Sequence, residues 1–265
     1  MLRLFQIEWM KIKTYRTFWL LFVGFLVTFP LTLYFFATKF NEGSGNQQEE
    51  LLKSLMGNPF SFPRAWLSSA YFGGLFFVMI GMLFILLITN EVQYRTHRQN
   101  IIDGWSRMDF LAAKFTMLVF FVLVSTALVF ISGFWIGSMY PAEGTSYRDG
   151  LHYVGYFALM ATIYLAVASV IAILVKRTGL SIIIYFGIVC IADNLLWLML
   201  TKNNSQAGYF LPLETGDSLL PNPFKPKAME KRTLADSTLV MAAIAYIALF
   251  GFLIRNYFQR TDLKT

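Results

Sequence analysis

Five long stretches of this chain contain no Asp, Glu, Lys or Arg: Thr17 to Thr38, Ala65 to Asn90, Phe115 to Ala142, Gly150 to Val175 and Ser237 to Ile254. A sixth, Thr178 to Thr201, is interrupted only by Asp193 and Asn194. A helix crossing a roughly 30 Å hydrocarbon layer needs about 20 such residues, so each run can supply one span. Barrel strands would instead alternate polar and apolar over about ten residues, and these runs do not. The chain is 57% hydrophobic and 14% charged, where a soluble domain carries about a quarter charged residues. Disordered, collagen-like and disulfide-stapled chains are excluded on the same ground, and the lone Cys190 has no internal partner. The reading is an all-α polytopic membrane protein forming one transmembrane domain. Spans are expected at 18–37, 66–90, 110–139, 151–175, 180–200 and 236–254. The connecting segments are 38–65, 91–109 and 201–235, with a leader at 1–17 and a tail at 255–265.

Lys and Arg placement sets the expected orientation. With the N-terminus inside, the inner segments carry 13 basic residues in 56 positions, against 9 in 72 outside. Both termini are therefore expected in the cytoplasm, and a bacterial inner (plasma) membrane is the expected location. The net charge of +7 is explained by anionic inner-leaflet lipid, with no role for nucleic acid. The leader carries four basic side chains and its apolar run ends in Thr38-Lys39-Phe40, which fits a retained helix and not a signal peptide. Leu2, Phe5, Trp9 and Ile12 share one helical face. An amphipathic helix along the inner membrane surface is expected, although Arg16 falls on the apolar face and Ile7 off it. The alternative is a loose basic tail. Trp66, Tyr71 and Tyr140 fall near span ends, where interfacial anchors belong.

The first outer loop opens with the flexible NEGSGN. Leu51, Leu52, Leu55 and Met56 could then form a short amphipathic helix ending at Asn58-Pro59. Segment 201–235 holds four of the eight prolines, and its piece GYFLPLETGDSLL is apolar enough to re-enter the membrane. Non-helical backbone survives at that depth only when buried in protein or lining water. No internal repeat supports an inverted-repeat transporter. Within the second span, Ser69, Ala70, Gly73, Gly74 and Gly81 form a small-residue face for close packing, either inside the bundle or against a second copy. Pro30 is expected to kink the first span.

Catalytic signatures are missing. Lys13-Thr14 and Lys53-Ser54 lack the glycines of a phosphate-binding loop. His97 and His152 are the only histidines, too few for a zinc ligand set. Glu49-Glu50 resembles the paired glutamates of one intramembrane protease family, but the pair lies outside the spans and lacks the arginine expected after it. No cofactor is expected in this chain, and it is not expected to be an enzyme.

The most structured polar stretch runs from Ile88 to Phe115. A span closes at Glu91, and Arg95, Thr96, His97 and Arg98 follow. Asp103-Gly104 makes a turn, Ser106 with Asp109 resembles a helix start, and Lys114 enters the next span. The stretch resembles the first cytoplasmic loop of ABC-2 type permeases, the membrane subunits of bacterial ATP-driven exporters. The matching residues are Glu91, Thr96, Gly104, Ser106, Arg107 and Lys114; Gly104-Trp105 stands where the family usually has a proline. The basic leader, the six spans and the Pro-rich loop before the last span match at the level of plan.

That resemblance implies a cytoplasmic coupling helix between spans two and three, docking into a separate ATPase subunit. Two ATPase subunits would bind ATP and Mg beneath a pair of permeases, either two copies of this chain or one with a relative. Arg95 and Arg98 would belong to the docking surface. The bland alternative is that Arg95, Arg98, Arg107 and Lys114 only satisfy the positive-inside bias. Lys176-Arg177 makes a tight inner turn, either a second ATPase contact or an ordinary basic turn. Asp193 with Asn194 either lines the translocation path, at a break in the fifth span, or reaches headgroups from a tilted helix. A charged Asp at a helix centre costs about 2.5–3.5 kcal/mol on insertion scales, so it must be neutral, paired or facing water. Rival readings are a non-transporting membrane scaffold or sensor and an ion-coupled secondary transporter. The residues do not name a substrate, though the aromatic-rich spans lean towards an amphiphile.

Overall fold

A computed structural model describes residues 2–42, 57–93, 107–142, 144–202, 205–225 and 232–260. Every regular element among them is helical, and six helices are long and apolar enough to cross a membrane. A short helix, α1 (Leu2–Ile12), precedes α2 (Arg16–Asn41). Then come α3 (Arg64–Gln93), α4 (Arg107–Met139) and α5 (His152–Val175). The fifth crossing is composite: α6 (Thr178–Gly187), a π-helical stretch (Ile188–Ala192) and α7 (Asp193–Leu200). A 3-10 turn (Ala207–Phe210) and the one-turn α8 (Glu214–Asp217) lead to α9 (Asp236–Arg260).

The core lies between α3 and α5, which pack on one another more extensively than any other pair. Apolar residues cover all sides of both, the pattern of a helix surrounded by others. The small-residue face of α3 packs inside the bundle. A Cβ at Gly73 would lie 2.6 Å from Val129, and one at Gly74 3.1 Å from Met160. Ser69 donates a 2.7 Å bond to the Val129 carbonyl. At Gly81 the fit is closest: an added Cβ would lie 2.0 Å from the Tyr185 hydroxyl, so only glycine lets α6 approach there. Pro30 lies inside α2, which continues through it to Asn41.

One expectation needs correction, and one alternative falls. Trp66 is not an interfacial anchor. It is fully buried, stacks on Phe130 and donates from Nε1 to the Tyr147 carbonyl at 2.8 Å. Position near a span end predicted exposure, but the connector after α4 folds back over the ring. Nor is the leader a loose tail. The α1 face bearing Phe5, Trp9 and Ile12 packs on protein: Phe5 and Trp9 meet Phe120 of α4, and Trp9 meets Phe18 of α2. Leu51 to Met56 and Ser106, where helix features were expected, lie outside the described residues.

Candidate functional site

At the bundle end that carries α1, four charged side chains meet. Glu8 and Lys11 come from α1, Glu91 from the last turns of α3 and Lys114 from the second turn of α4. Lys11 Nζ sits 3.0 Å from both Glu8 Oε1 and Glu91 Oε1. Lys114 Nζ pairs with Glu8 Oε2 and lies 2.8 Å from Glu91 Oε2. Each ammonium thus bridges both carboxylates, and two acids balance two bases. Glu8, Glu91 and Lys114 are buried, while the Lys11 side chain is 29% exposed. Burial alone would raise the Glu8 carboxyl. Lys114 and Lys11 outweigh it and hold Glu8 below the usual glutamate range. Burial would likewise lower Lys11, but Glu91 and Glu8 outweigh that and hold it above the ordinary lysine value.

Glu91 and Lys114 were singled out by resemblance; Glu8 and Lys11 were not. A signal for Glu8 exists, since it falls three residues after Phe5 and four before Ile12, on the apolar face of α1. A carboxylate there needs a buried cation. Of the other expected coupling residues, Arg95, Thr96, Arg98, Gly104 and Ser106 lie outside the described residues, and Arg107 is described only as the backbone that opens α4.

The turn between α5 and α6 lies at the same end. Lys176 takes a left-handed conformation (φ 58°) and ends α5, the geometry of a helix C-terminus. Its ammonium lies 5.9 Å from the Tyr257 ring centre of α9. Arg177 is the single residue between Lys176 and α6. Thr178 then bonds the end of α3, with its Oγ1 2.9 Å from Thr89 Oγ1 and 3.4 Å from Asn90 Oδ1.

The opposite end holds a second polar site. Asp193 begins α7, and Glu214 and Asp217 bracket α8. One carboxylate oxygen of each lies within 4.8 Å of the others. Tyr164, midway along α5, donates from its hydroxyl to Asp217 at 2.8 and 2.9 Å. Ser218 donates to Glu214 at 2.6 Å. Asn194 does not pair with Asp193. Its amide donates to the Val189 and Cys190 carbonyls at 3.3 and 3.4 Å, acceptors within the π stretch. Glu214, Asp217 and Asn194 line a cavity of about 950 Å³ with Tyr71, Trp197 and Arg232. Asp193 was expected from the sequence; its two companions were not.

Six crossing helices and a neutral charge cluster holding both ends of one connector describe a multi-pass membrane protein with a fixed polar end. A family model described as ABC-2 family transporter protein matches residues 4–192. The chain belongs to that family. Membership implies partner ATPase subunits in general, and the family's membrane domain is typically not itself catalytic. No curated protein and no solved structure matches the chain. The matched range takes in α1, Glu91 and Lys114 and stops one residue before Asp193.

Proposed function

We propose that this chain is the permease subunit of an ATP-driven exporter, with the α1 end of the bundle in the cytoplasm. The carrying observation is the family match across the segment bounded by Glu91 and Lys114. Segment 91–109 is the coupling element, and Arg95, Thr96, Arg98, Gly104, Ser106 and Arg107 are its contact to the ATPase. Two separate ATPase subunits bind ATP and Mg, and a second permease, identical or related, completes the path. Both termini are cytoplasmic, in keeping with the denser Lys and Arg of those segments. On this orientation α1 lies at the inner interface, and α8 re-enters the membrane to the depth of Tyr164. Lys176-Arg177 forms a second, smaller inner contact, and Asp193 with Asn194 faces the path from outside.

The charge cluster suits this role physically. Coupling requires rigid elements with discrete arrangements. Glu91 stands in the last turns of the helix before the coupling segment and Lys114 in the second turn of the helix after it, and both are held by α1. A push on that segment therefore reaches α1, α3 and α4 together.

The test is charge reversal at Arg95 and Arg98 in the full chain, followed by copurification of the ATPase and its stimulation. Loss of both supports docking; unchanged binding and stimulation refute it. An ion-coupled transporter is the second reading, because three clustered carboxylates could carry a coupling ion. Transport that survives ATPase inactivation and follows an ion gradient would establish that reading instead.

A further inference from the structure

The far-end cavity brings acids and bases together without pairing one to the other. Glu214 and Asp217 line it, and a carboxylate oxygen of Asp193 lies within 4.8 Å of theirs. Their hydrogen bonds come from two neutral hydroxyls, Tyr164 and Ser218. Among the described residues no Lys or Arg pairs with any of the three. Asp193 is only 7% exposed, and neither a hydrogen bond nor an ion pair reaches its carboxylate. A buried carboxylate is stable only when paired, coordinated or protonated. Lys202 and Lys225 also line it and are exposed. Arg232 gives Nη2 to Asp236 at 2.6 Å, yet its Nη1 is buried with no hydrogen-bond partner. Tyr71 and Trp197 add aromatic lining.

A free divalent cation would answer the carboxylates alone. It would leave the Arg232 Nη1 without a partner, and about 950 Å³ lies in the range of organic ligands, roughly 300–1,000 Å³. Two lysines and an arginine together favour phosphate, while an ammonium satisfies carboxylates and is attracted to aromatic faces.

We propose that this cavity binds a zwitterionic lipid headgroup, its ammonium against Asp193, Glu214 and Asp217 and its phosphate against Lys202, Lys225 and Arg232. The site is independent of ATPase coupling and can be tested on the permease alone.

The experiment is calorimetric titration of the full-length chain in maltoside micelles. Four probes are compared: dihexanoylphosphatidylethanolamine, dihexanoylphosphatidylglycerol without the ammonium, hexylamine without the phosphate, and manganese chloride. The ethanolamine lipid is expected to bind at least tenfold more tightly than the glycerol lipid or hexylamine. Asp193→Asn and Glu214→Gln are each expected to erase the preference over the glycerol lipid. Lys225→Glu is expected to weaken both lipids and spare hexylamine. If the buried Asp193 variant fails to fold, the half-buried Glu214 and exposed Lys225 variants still decide. Equal affinity for the two lipids overturns the proposal, as does a preference that survives Glu214→Gln. Manganese binding abolished by Glu214→Gln, without any lipid preference, overturns it in favour of a metal site.

Discussion

Replacing Lys114 of α4 by methionine should separate α1 from the bundle more than replacing its partner Lys11 within α1 itself. The substitution keeps an unbranched side chain, one atom shorter, and removes its charge. Two acids and two bases become two acids and one base. Glu8 and Glu91 then share Lys11, whose side chain is 29% exposed and partly screened. Breaking a buried ion pair by removing one partner costs about 3–5 kcal/mol; the surviving Lys11 places this case near the lower figure. For a chain of this size, about 3 kcal/mol corresponds to a fall in melting temperature of about 6–12 °C. Lys11→Met removes the more exposed partner and should cost about 1 kcal/mol. Glu8→Gln combined with Lys114→Met removes the stranded carboxylate along with the cation, so the double variant should melt above Lys114→Met alone. The assay is thermal unfolding in one detergent for wild type and the three variants. The reasoning fails if Lys114→Met melts within about 2 °C of wild type, if Lys11→Met loses as much, or if the double variant is the least stable.

Three further outcomes follow from the same geometry. The lowered Glu8 carboxyl contributes stability that is fully present above about pH 4.5 and is lost as the pH falls through its folded value. The raised Lys11 contributes below about pH 10.5 and loses its share as the pH rises through its folded value. Melting temperature should therefore drop less steeply in acid for Glu8→Gln than for wild type, and equal slopes would contradict this. Gly81→Ala should lower stability by about 1–3 kcal/mol by overpacking against Tyr185, with partial recovery on adding Tyr185→Leu; unchanged unfolding would disprove the contact. Trp66→Phe keeps the ring but strands the Tyr147 carbonyl, and should cost about 1 kcal/mol in the same unfolding measurement.

The six crossings were legible because an almost charge-free run of about 20 residues has few other uses. The coupling segment was legible through resemblance, yet its clamp was not. Glu91 and Lys114 stood out, while Glu8, on the apolar face of the leader, did not. Period alone does not say which neighbour satisfies a misplaced charge. The far-end cluster was harder. Asp193 attracted attention as an acid inside an apolar run, whereas Glu214 and Asp217 went unremarked within a piece read as re-entering the membrane. What joins them is tertiary: the Pro-rich loop folds against α5 so that Asp217 reaches Tyr164. Trp66 misled for a related reason, since hydropathy places a residue along the membrane normal but not around the bundle.

The π stretch in the fifth crossing changes which way the rest of that helix faces. An α-helix turns about 100° per residue, and a π turn, with its i→i+5 bonding, about 80°. From the buried Tyr185, a continuous α-helix would bring Asp193 about 80° out of register with it. The five residues Ile188–Ala192 remove most of that difference, so both side chains are buried, while Ile183, Phe186 and Ile191 remain exposed. The crossing thus carries one residue more than its inward stripe requires. Deleting Cys190 should restore plain α-helical winding with Asp193 still facing inward. Inserting one residue there would turn Asp193 about 100° away from the line of Tyr185.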